Sequence, residues 1–276
     1  MKKQTKKSKN TKRQPSGTKN PAAPSNVPSN ITRPDLYGFH AVREAWLNAD
    51  RVVKALYITQ ANKAYADKLI LEAQEKHLFR PSVVILDKAA LEKILPKGAV
   101  HQGIALACDP LQELDVQDLI IRVHNKKHGV IALLDQVTDP HNVGAIMRSA
   151  SAFGLDGLIM QKKHAPALDG VLAKTACGAV DHLPVAHATN LSRALEDLQE
   201  AGFSALAMDE HAQTDIGGIK GVDKIVIVLG SEGAGIRPLV KSKCDVITRL
   251  PTGGAIASLN VSNAAAIAFY ALATKR

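Results

Sequence analysis

Small polar side chains lie close together near the carboxyl end of the sequence, directly before an apolar segment. Residues 250–263 read LPTGGAIASLNVSN, so a proline and two glycines precede Ser258 and Asn260. Glycine lets the backbone approach a ligand closely, and hydroxyl and amide side chains cap the first turn of a helix. Residues 264–273 are almost wholly apolar. We therefore predict a ligand pocket with this segment as one wall, held rigid by a packed helix.

A second polar group follows an apolar segment in the middle of the sequence. Residues 139–148 read DPHNVGAIMR, in which the proline and Asn142 mark a turn and a helix start. A guanidinium such as that of Arg148 can bind a phosphate or a carboxylate through two hydrogen bonds. Arg148 lies six residues after Asn142, so the two are about a turn and a half apart and do not lie on the same face of the helix. The alternatives are that Asn142 only caps the helix and that Arg148 is only solvated or ion-paired.

The third polar group contains one carboxylate among glycines. Residues 225–236 read IVIVLGSEGAGI, so Glu232 directly follows an apolar strand-like segment. The spacing of Gly230, Gly233 and Gly235 does not fit a dinucleotide-binding fingerprint, and there is no Walker lysine. Nothing therefore favours a nucleotide cofactor of either kind. We predict a functional role for Glu232, with capping of the following helix as the alternative.

The three groups lie in a sequence that alternates strand-like and helix-like segments in two series. After an amphipathic segment at 37–47, the first series has strands at 52–59, 82–87 and 103–108 and helices at 62–77 and 88–95. The second has strands at 130–136, 157–161, 203–208, 224–230 and 245–250 and helices at 142–153, 171–181, 191–201 and 261–273. Regular alternation predicts a parallel sheet covered on both faces, with ligands at the carboxyl ends of its strands.

This pattern predicts an α/β protein with two folded domains. We expect a first domain at 35–108, a partly helical connector at 109–127 and a second domain at 128–276. The net charge of +9 resides in residues 1–34, because those residues have nine Lys or Arg and no acid, whereas the rest has 26 bases and 26 acids. A segment so polar does not fold alone, and a basic arm attracts polyanions. We predict a disordered arm that contacts RNA, with a solubilising extension as the alternative.

Several classes of protein are not indicated. Because no run of 18 apolar residues exists and the first residues lack an apolar signal core, we expect no membrane span, no secretory signal and a cytoplasmic location. Cys108, Cys177 and Cys244 are far apart and have no histidine at metal-ligand spacing. We predict buried free thiols and no metal site.

Taken together and in this order, the three groups resemble the three motifs of the SpoU (TrmH) branch of the SPOUT RNA methyltransferases, and most specifically the RlmB-like ribose 2′-O-methyltransferases of ribosomal RNA. The likeness extends over nearly all of the sequence after Leu36, including YGFHAV at 37–42 and HQG at 101–103. It implies a parallel α/β domain of SPOUT type with a deep trefoil knot, an exception to the rule against threaded chains. It also implies a small N-terminal α/β domain that binds RNA like a ribosomal protein.

The resemblance further implies a cofactor, a partner and roles for single residues. S-adenosylmethionine would be held by backbone groups around Gly230, Leu250 and Leu259, and the neighbouring subunit of a homodimer would complete the site. A ribose 2′-oxygen would attack the cofactor's methyl group in line. The expected site residues have distinct tasks: Asn142 orients the ribose, Arg148 binds phosphate and stabilises the emerging alkoxide, Glu232 and Ser258 fix Arg148 and the substrate, and Asn260 braces its loop. Arginine does not lose its proton in proteins, so we expect the base to be Glu232 or water.

The resemblance implies guanosine in large-subunit (23S) ribosomal RNA as the substrate. A transfer RNA ribose methyltransferase is one alternative, because it shares all three motifs. The extra N-terminal domain and the HQG segment favour ribosomal RNA. A non-catalytic RNA-binding assembly factor is the other alternative, and the presence of all five polar site residues argues against it.

Overall fold

The computed structural model describes residues 31–255 and 258–274. Its first part is a small domain with a four-stranded sheet in the order β1-β4-β2-β3, in which β2 and β3 are parallel and β4 is antiparallel to both of its neighbours. The elements are β1 (Leu36–Tyr37), α1 (Phe39–Leu47), β2 (Val53–Thr59), α2 (Lys63–Glu75), β3 (Val83–Leu86), α3 (Lys88–Ile94) and β4 (Ile104–Cys108).

The second part has a seven-stranded sheet in which every neighbouring pair is parallel, in the order β7-β6-β5-β10-β8-β11-β9. Its elements are α4 (Val116–Val123), β5 (Gly129–Asp135), α5 (Pro140–Ala152), β6 (Gly157–Gln161), α6 (Gly170–Thr175), β7 (Val185–Ala188), α7 (Leu191–Glu200), β8 (Ser204–Met208), β9 (Thr214–Asp215), β10 (Lys224–Gly230), α8 (Pro238–Lys241), β11 (Val246–Arg249) and α9 (Val261–Ala273).

Helices cover both faces of the large sheet, because its central strands are apolar on both sides. Along β10, Ile225, Ile227 and Leu229 belong to one apolar core, whereas Val226 and Val228 belong to another. Helices α5, α6 and α9 pack into the first core, and α4, α7 and α8 pack into the second. This period of two is the strand geometry that the sequence pattern predicted. The predicted α/β fold is therefore confirmed.

The structure differs from the prediction mainly at the sheet edges. All five predicted strands of the second series are present within two residues of their expected bounds, but β7 and β9 were missed. Both are short edge strands, so neither has the long apolar run that marks a central strand. Helix α6 ends earlier than predicted because Cys177 and Gly178 have φ angles of 51° and 92°, which the helix cannot continue through.

Segments at both ends of the small domain pack against folded structure. The predicted basic arm lies outside the described residues up to residue 30, but Ile31 already packs against the small domain, and Tyr57 Oη donates to the carbonyl of Thr32 at 2.8 Å. In the predicted connector, α4 buries Leu119 and Val123 against the large sheet. The connector is thus partly a layer of the second domain. The domain boundaries and the trefoil knot stay predictions.

A buried ion pair links the two domains. Arg51 Nε lies 2.7 Å from Asp181 Oδ1, and these side chains are only 4% and 2% exposed. Arg51 Nη1 also donates to the carbonyl of Asp109 at 3.1 Å, and Asn48 Nδ2 donates to Asp181 Oδ1 at 3.0 Å. Each charge is therefore compensated, as burial requires.

We expect Arg51→Ala to lower the free energy of unfolding by about 3–5 kcal/mol, because it leaves the Asp181 carboxylate buried without its partner. Urea titration followed by circular dichroism measures the change. Arg193→Ala is the control, since it breaks an exposed pair within α7 (Arg193 Nε to Asp197 Oδ1, 2.9 Å) and is expected to cost less than about 1 kcal/mol. Equal losses in the two variants would show that the interdomain pair does not stabilise the fold.

Among the residues described, no helix is both long and apolar enough to cross a membrane.

Candidate active site

The carboxyl ends of β8, β10 and β11 surround a cavity of about 510 Å³. Five residues that the sequence singled out line it: Gly230, Glu232, Leu250, Ser258 and Leu259. They come from two segments of the chain that are brought together because β8 lies between β10 and β11 in the sheet. The second and third motifs therefore form one pocket, as predicted for the end of a parallel sheet.

At the mouth of this cavity, three polar side chains from the three motifs bond to one another. Asn142 Nδ2 donates to Glu232 Oε1 at 3.1 Å, and Asn260 Nδ2 donates to the same oxygen at 2.5 Å. Asn260 Nδ2 also lies 3.0 Å from Asn142 Oδ1. Glu232 and Asn260 are exposed and Asn142 is half-buried, so the cluster can meet a ligand from solvent. We call these three residues the amide–carboxylate cluster.

Helix capping does not explain the cluster. The residue that caps α5 is Asp139, whose Oδ1 accepts from the backbone N of His141 at 3.1 Å. Asn142 is thus free to use its side chain elsewhere, and the interpretation of Asn142 as a mere cap is wrong. Glu232 caps no described helix, because α8 begins after Arg237 without a side-chain cap. Asn260 does cap α9, with Oδ1 accepting from Ser262 N at 2.9 Å, while its Nδ2 serves the cluster.

A glycine-rich turn presents Glu232 to the cavity. Ser231 and Gly235 bond to each other in both directions, at 3.2 and 3.0 Å, so the turn closes on itself directly after β10. Gly233 and Gly235 have φ angles of 78° and 66°, which glycine adopts without strain. At Gly230, a Cβ atom of any other residue would lie 2.1 Å from the backbone carbon of Gly235. Only glycine fits there.

The structure separates Arg148 from the cluster within one chain. Arg148 is exposed on α5 and lines a different cavity with His40, Glu44 and His182. Its side chain makes no hydrogen bond to Glu232 or to any other residue in the described part of the chain. Ser258 lies on the wall of the cofactor-sized cavity, also without a described hydrogen bond to the cluster. The predicted contacts of Glu232 and Ser258 with Arg148 therefore stay predictions.

Sequence reasoning missed two features of the site. The turn after β8 contributes Met208, Asp209, Glu210 and His211 to the cavity wall. A hydrogen bond from Lys241 keeps the pKa of Asp209 below its usual value, so this carboxyl is ionised at neutral pH. The residue types in this turn are ordinary for a loop. Only the position of β8 between β10 and β11 in the sheet could have indicated that the turn lines the cavity.

The second missed feature is an ion pair below the glycine-rich turn. Asp135, at the end of β5, is fully buried and accepts from the backbone N and from Nε of Arg237, both at 2.8 Å. Arg237 Nη2 also donates to Gln161 Oε1 at 3.2 Å, which ties the ends of β5 and β6 to the turn. The aspartate directly after an apolar strand was the available signal.

The prediction of buried thiols holds for Cys108, whereas Cys177 and Cys244 are half-buried, and none of the three lines the cofactor-sized cavity. Burial raises the pKa of the Cys108 thiol to about 11 and that of Cys244 to about 12. Thiols with such values are not ionised at neutral pH and are poor nucleophiles and metal ligands. No group of His, Cys, Asp and Glu side chains in the described ranges is arranged to hold a metal ion.

The cavity fits the predicted cofactor on its own geometry. Its volume lies within the range of about 300–1,000 Å³ that small-ligand pockets occupy. Leu229, Leu250 and Leu259 provide apolar wall for a flat ring, and the backbone of the glycine-rich turn provides donors and acceptors. Gly233 and Gly235 have no side chain to cover this backbone, and the space beside each of them is open.

Comparison with known proteins decides the family. Residues 129–270 match the SpoU rRNA Methylase family, and residues 36–114 match the domain family described as RNA 2′-O ribose methyltransferase substrate binding. The chain belongs to the SpoU rRNA methylase family. Family membership confirms the predicted methyltransferase activity on RNA ribose and the predicted use of S-adenosylmethionine.

Curated relatives and solved structures agree with this assignment. The chain is 36% identical over 243 residues to the 23S rRNA (guanosine-2′-O-)-methyltransferase RlmB of Coxiella burnetii, covering 87% of this chain and 95% of that protein. It is 32% identical to a putative TrmH family tRNA/rRNA methyltransferase of Staphylococcus aureus, covering 87% and 96%. The SpoU methyltransferase AviRb from Streptomyces viridochromogenes, solved with AdoMet, has a TM-score of 0.69 at 23% identity, covering 87% and 89%. This last likeness shows the fold.

Proposed function

We propose that this protein transfers the methyl group of S-adenosylmethionine to the ribose 2′-oxygen of a guanosine in 23S ribosomal RNA. The observation that carries the proposal is the amide–carboxylate cluster, in which one residue from each motif meets at the mouth of a cofactor-sized cavity. The 36% identity to a relative with that named activity supports the choice of RNA and nucleotide. We also propose a cytoplasmic location, where ribosomal RNA is modified.

The cluster suits the orientation of a ribose. S-adenosylmethionine, when bound, supplies a methyl group on a positively charged sulfur. Asn142 and Asn260 hold Glu232 through Oε1, so Oε2 remains available to accept a hydrogen bond from a ribose hydroxyl. Fixing that hydroxyl in line with the methyl group removes much of the entropic barrier. The hydroxyl proton leaves to Glu232 or to water, and the new C–O bond replaces the C–S bond.

We propose that the working form is a homodimer in which Arg148 acts in the site of the partner subunit. Helix α5 packs against α9, and the adjoining surface exposes Ile267 and Tyr270 at 46% and 58%. Exposed large apolar side chains beside small residues are typical of a subunit interface. Arg148 is exposed on α5 and has no described ion-pair partner in its own chain, so it is available to a neighbour.

A labelled-methyl assay tests the substrate. Purified protein is incubated with S-adenosylmethionine carrying a labelled methyl group and with either 23S rRNA transcript or unmodified total tRNA, and the modified position is mapped. We expect label in a single guanosine ribose of the 23S transcript. Label in tRNA alone would establish the transfer RNA alternative, and label in neither would favour the non-catalytic assembly factor. Sedimentation of the same sample tests the dimer.

We expect Arg148→Lys to retain measurable turnover, with kcat lower by about 10- to 100-fold, because lysine keeps the charge but loses two-point phosphate binding. Arg148→Ala should lose the remaining activity. Single-turnover methylation of the 23S transcript measures both, and filter binding checks that RNA affinity persists. Complete loss in Arg148→Lys with RNA binding intact would argue that Arg148 itself removes the proton.

A further inference from the structure

A second cavity, of about 580 Å³, opens on the other side of the glycine-rich turn. It lies at the carboxyl ends of β5 and β6 and is lined by residues that include Gln136, Gln161, Lys163 and His164. Ser231, the neighbour of Glu232, lines both this cavity and the cofactor-sized one. Glu232, which lines the cofactor-sized cavity, is therefore next in sequence to the residue that the two cavities share.

Two residues of the second cavity have backbone conformations that favour glycine. Gln136 has a φ angle of 59° and His164 one of 66°. A non-glycine residue in this left-handed region is strained, and such strain is concentrated at ligand sites. The side chain of Gln136 is also exposed, so packing in the core does not account for a glutamine in this strained conformation.

Gln161, the other glutamine that lines the cavity, is held in place by Arg237. Its Oε1 accepts from Arg237 Nη2 at 3.2 Å, and Arg237 is fixed by the fully buried Asp135. Because Oε1 is engaged, the Nε2 group of Gln161 is the end left to donate, and it has no acceptor among the residues described. An ion pair between a half-buried arginine and a buried aspartate thus orients one amide donor beside a cavity.

The charge of the cavity suits RNA. Its described lining contains Lys163 and His164 but no Asp or Glu, in contrast to the cofactor-sized cavity with Asp209 and Glu210. Apolar wall comes from Leu134, Val137 and Met160. Proteins bind unpaired bases of RNA with this combination of apolar surface, hydrogen bonds to the base edge and a cation for the phosphate.

We propose that the second cavity binds the base of the nucleotide whose ribose is methylated. This inference rests on the proposed function. Residues 136–138, which line the second cavity, directly precede α5 and Asn142. A ribose bound at the cluster would have the cofactor on one side, and the second cavity would then accommodate the base of the same nucleotide. Gln136 and Gln161 bind the edge of the base, and Lys163 binds a flanking phosphate.

The test replaces Gln136 with glycine, which removes the amide and also relieves the strained backbone. We expect Gln136→Gly to unfold at the same temperature as the wild type or higher, while kcat/KM for RNA falls by about 10-fold or more. The dissociation constant of S-adenosylmethionine, measured by calorimetry, should change less than twofold. The ratio of kcat/KM for a transcript with guanosine at the methylated position to kcat/KM for transcripts with each other base there should become smaller.

Matched variants complete the experiment. A second test variant, Lys163→Ala, removes the proposed phosphate contact. The control for Gln136→Gly is Gln112→Gly, which changes an exposed glutamine outside both cavities. The control for Lys163→Ala is Lys127→Ala, at the opposite end of the sheet. We expect only the cavity variants to impair RNA methylation. All are compared on whichever RNA the wild type methylates, so a transfer RNA substrate would overturn the proposed 23S target without overturning the base subsite. Wild-type kcat/KM and base discrimination in Gln136→Gly and Lys163→Ala would overturn the subsite, and a wild type that methylates no RNA would overturn both proposals.

Discussion

Gly230→Ala is expected to abolish binding of S-adenosylmethionine. The added carbon would lie 2.1 Å from the backbone carbon of Gly235 and 2.3 Å from the backbone nitrogen of Ile236. These contacts are with backbone, so the whole glycine-rich turn must move away from β10. That turn is a wall of the cofactor-sized cavity and presents Glu232. We expect the dissociation constant to rise by more than about 100-fold, equivalent to about 2.7 kcal/mol.

Calorimetric titration with S-adenosylmethionine measures this effect, and thermal unfolding shows that the variant is folded. Gly218→Ala is the control, because the added carbon meets nothing within 4 Å in the segment between β9 and β10, outside the cofactor-sized cavity. It should bind the cofactor like the wild type. A Gly230→Ala protein that is folded and binds S-adenosylmethionine normally would mean that the cavity between β8, β10 and β11 is not the cofactor site.

Asn142→Ala is expected to lower kcat by about 100-fold or more, with little change in cofactor affinity. The amide of Asn142 reaches Glu232 Oε1 at 3.1 Å, and its oxygen lies 3.0 Å from Asn260 Nδ2. Without it, the carboxylate loses one of its two amide donors and can rotate. A displacement of about 1 Å at a reacting group can cost about 100-fold in rate. Asn142 does not line the cofactor-sized cavity, so the cofactor should still bind.

Single-turnover methylation of RNA and calorimetry with S-adenosylmethionine separate these two effects. Asn125→Ala, which changes an exposed asparagine between α4 and β5, is the control. It should behave like the wild type in both measurements. If Asn142→Ala instead weakened cofactor binding as strongly as it slowed methylation, Asn142 would hold the cofactor and not the ribose.

Local sequence patterns were enough to predict the central elements of the fold. Strand β10 is apolar on both faces, and α9 begins at an asparagine after a glycine-containing turn, so each was placed to within a residue. Strands β7 and β9 were not predicted because they have four and two residues and lie outside the central strands, where no long apolar run is required. Their formation depends on a neighbouring strand that is distant in sequence.

For the candidate site as well, the sequence indicated single residues but not the contacts between them. The sequence indicated Asn142, Glu232 and Asn260 through their positions after strands and before helices. It could not show that they bond to one another, because Asn142 is 90 residues from Glu232 and 118 from Asn260. Only the order of β5, β10, β8 and β11 in the sheet brings those strand ends together.

The sequence by itself determined the chemistry that is present: three polar motifs, the glycines that shape a turn, and an apolar framework of alternating strands and helices. These are properties of neighbouring residues, and the backbone enforces them locally. The tertiary structure decided which groups meet. It joined three motifs in one cluster, left Arg148 outside that cluster, and fixed Gln161 through the Asp135–Arg237 ion pair beside a second cavity. Such contacts depend on strand order and packing, which no single segment of the sequence specifies.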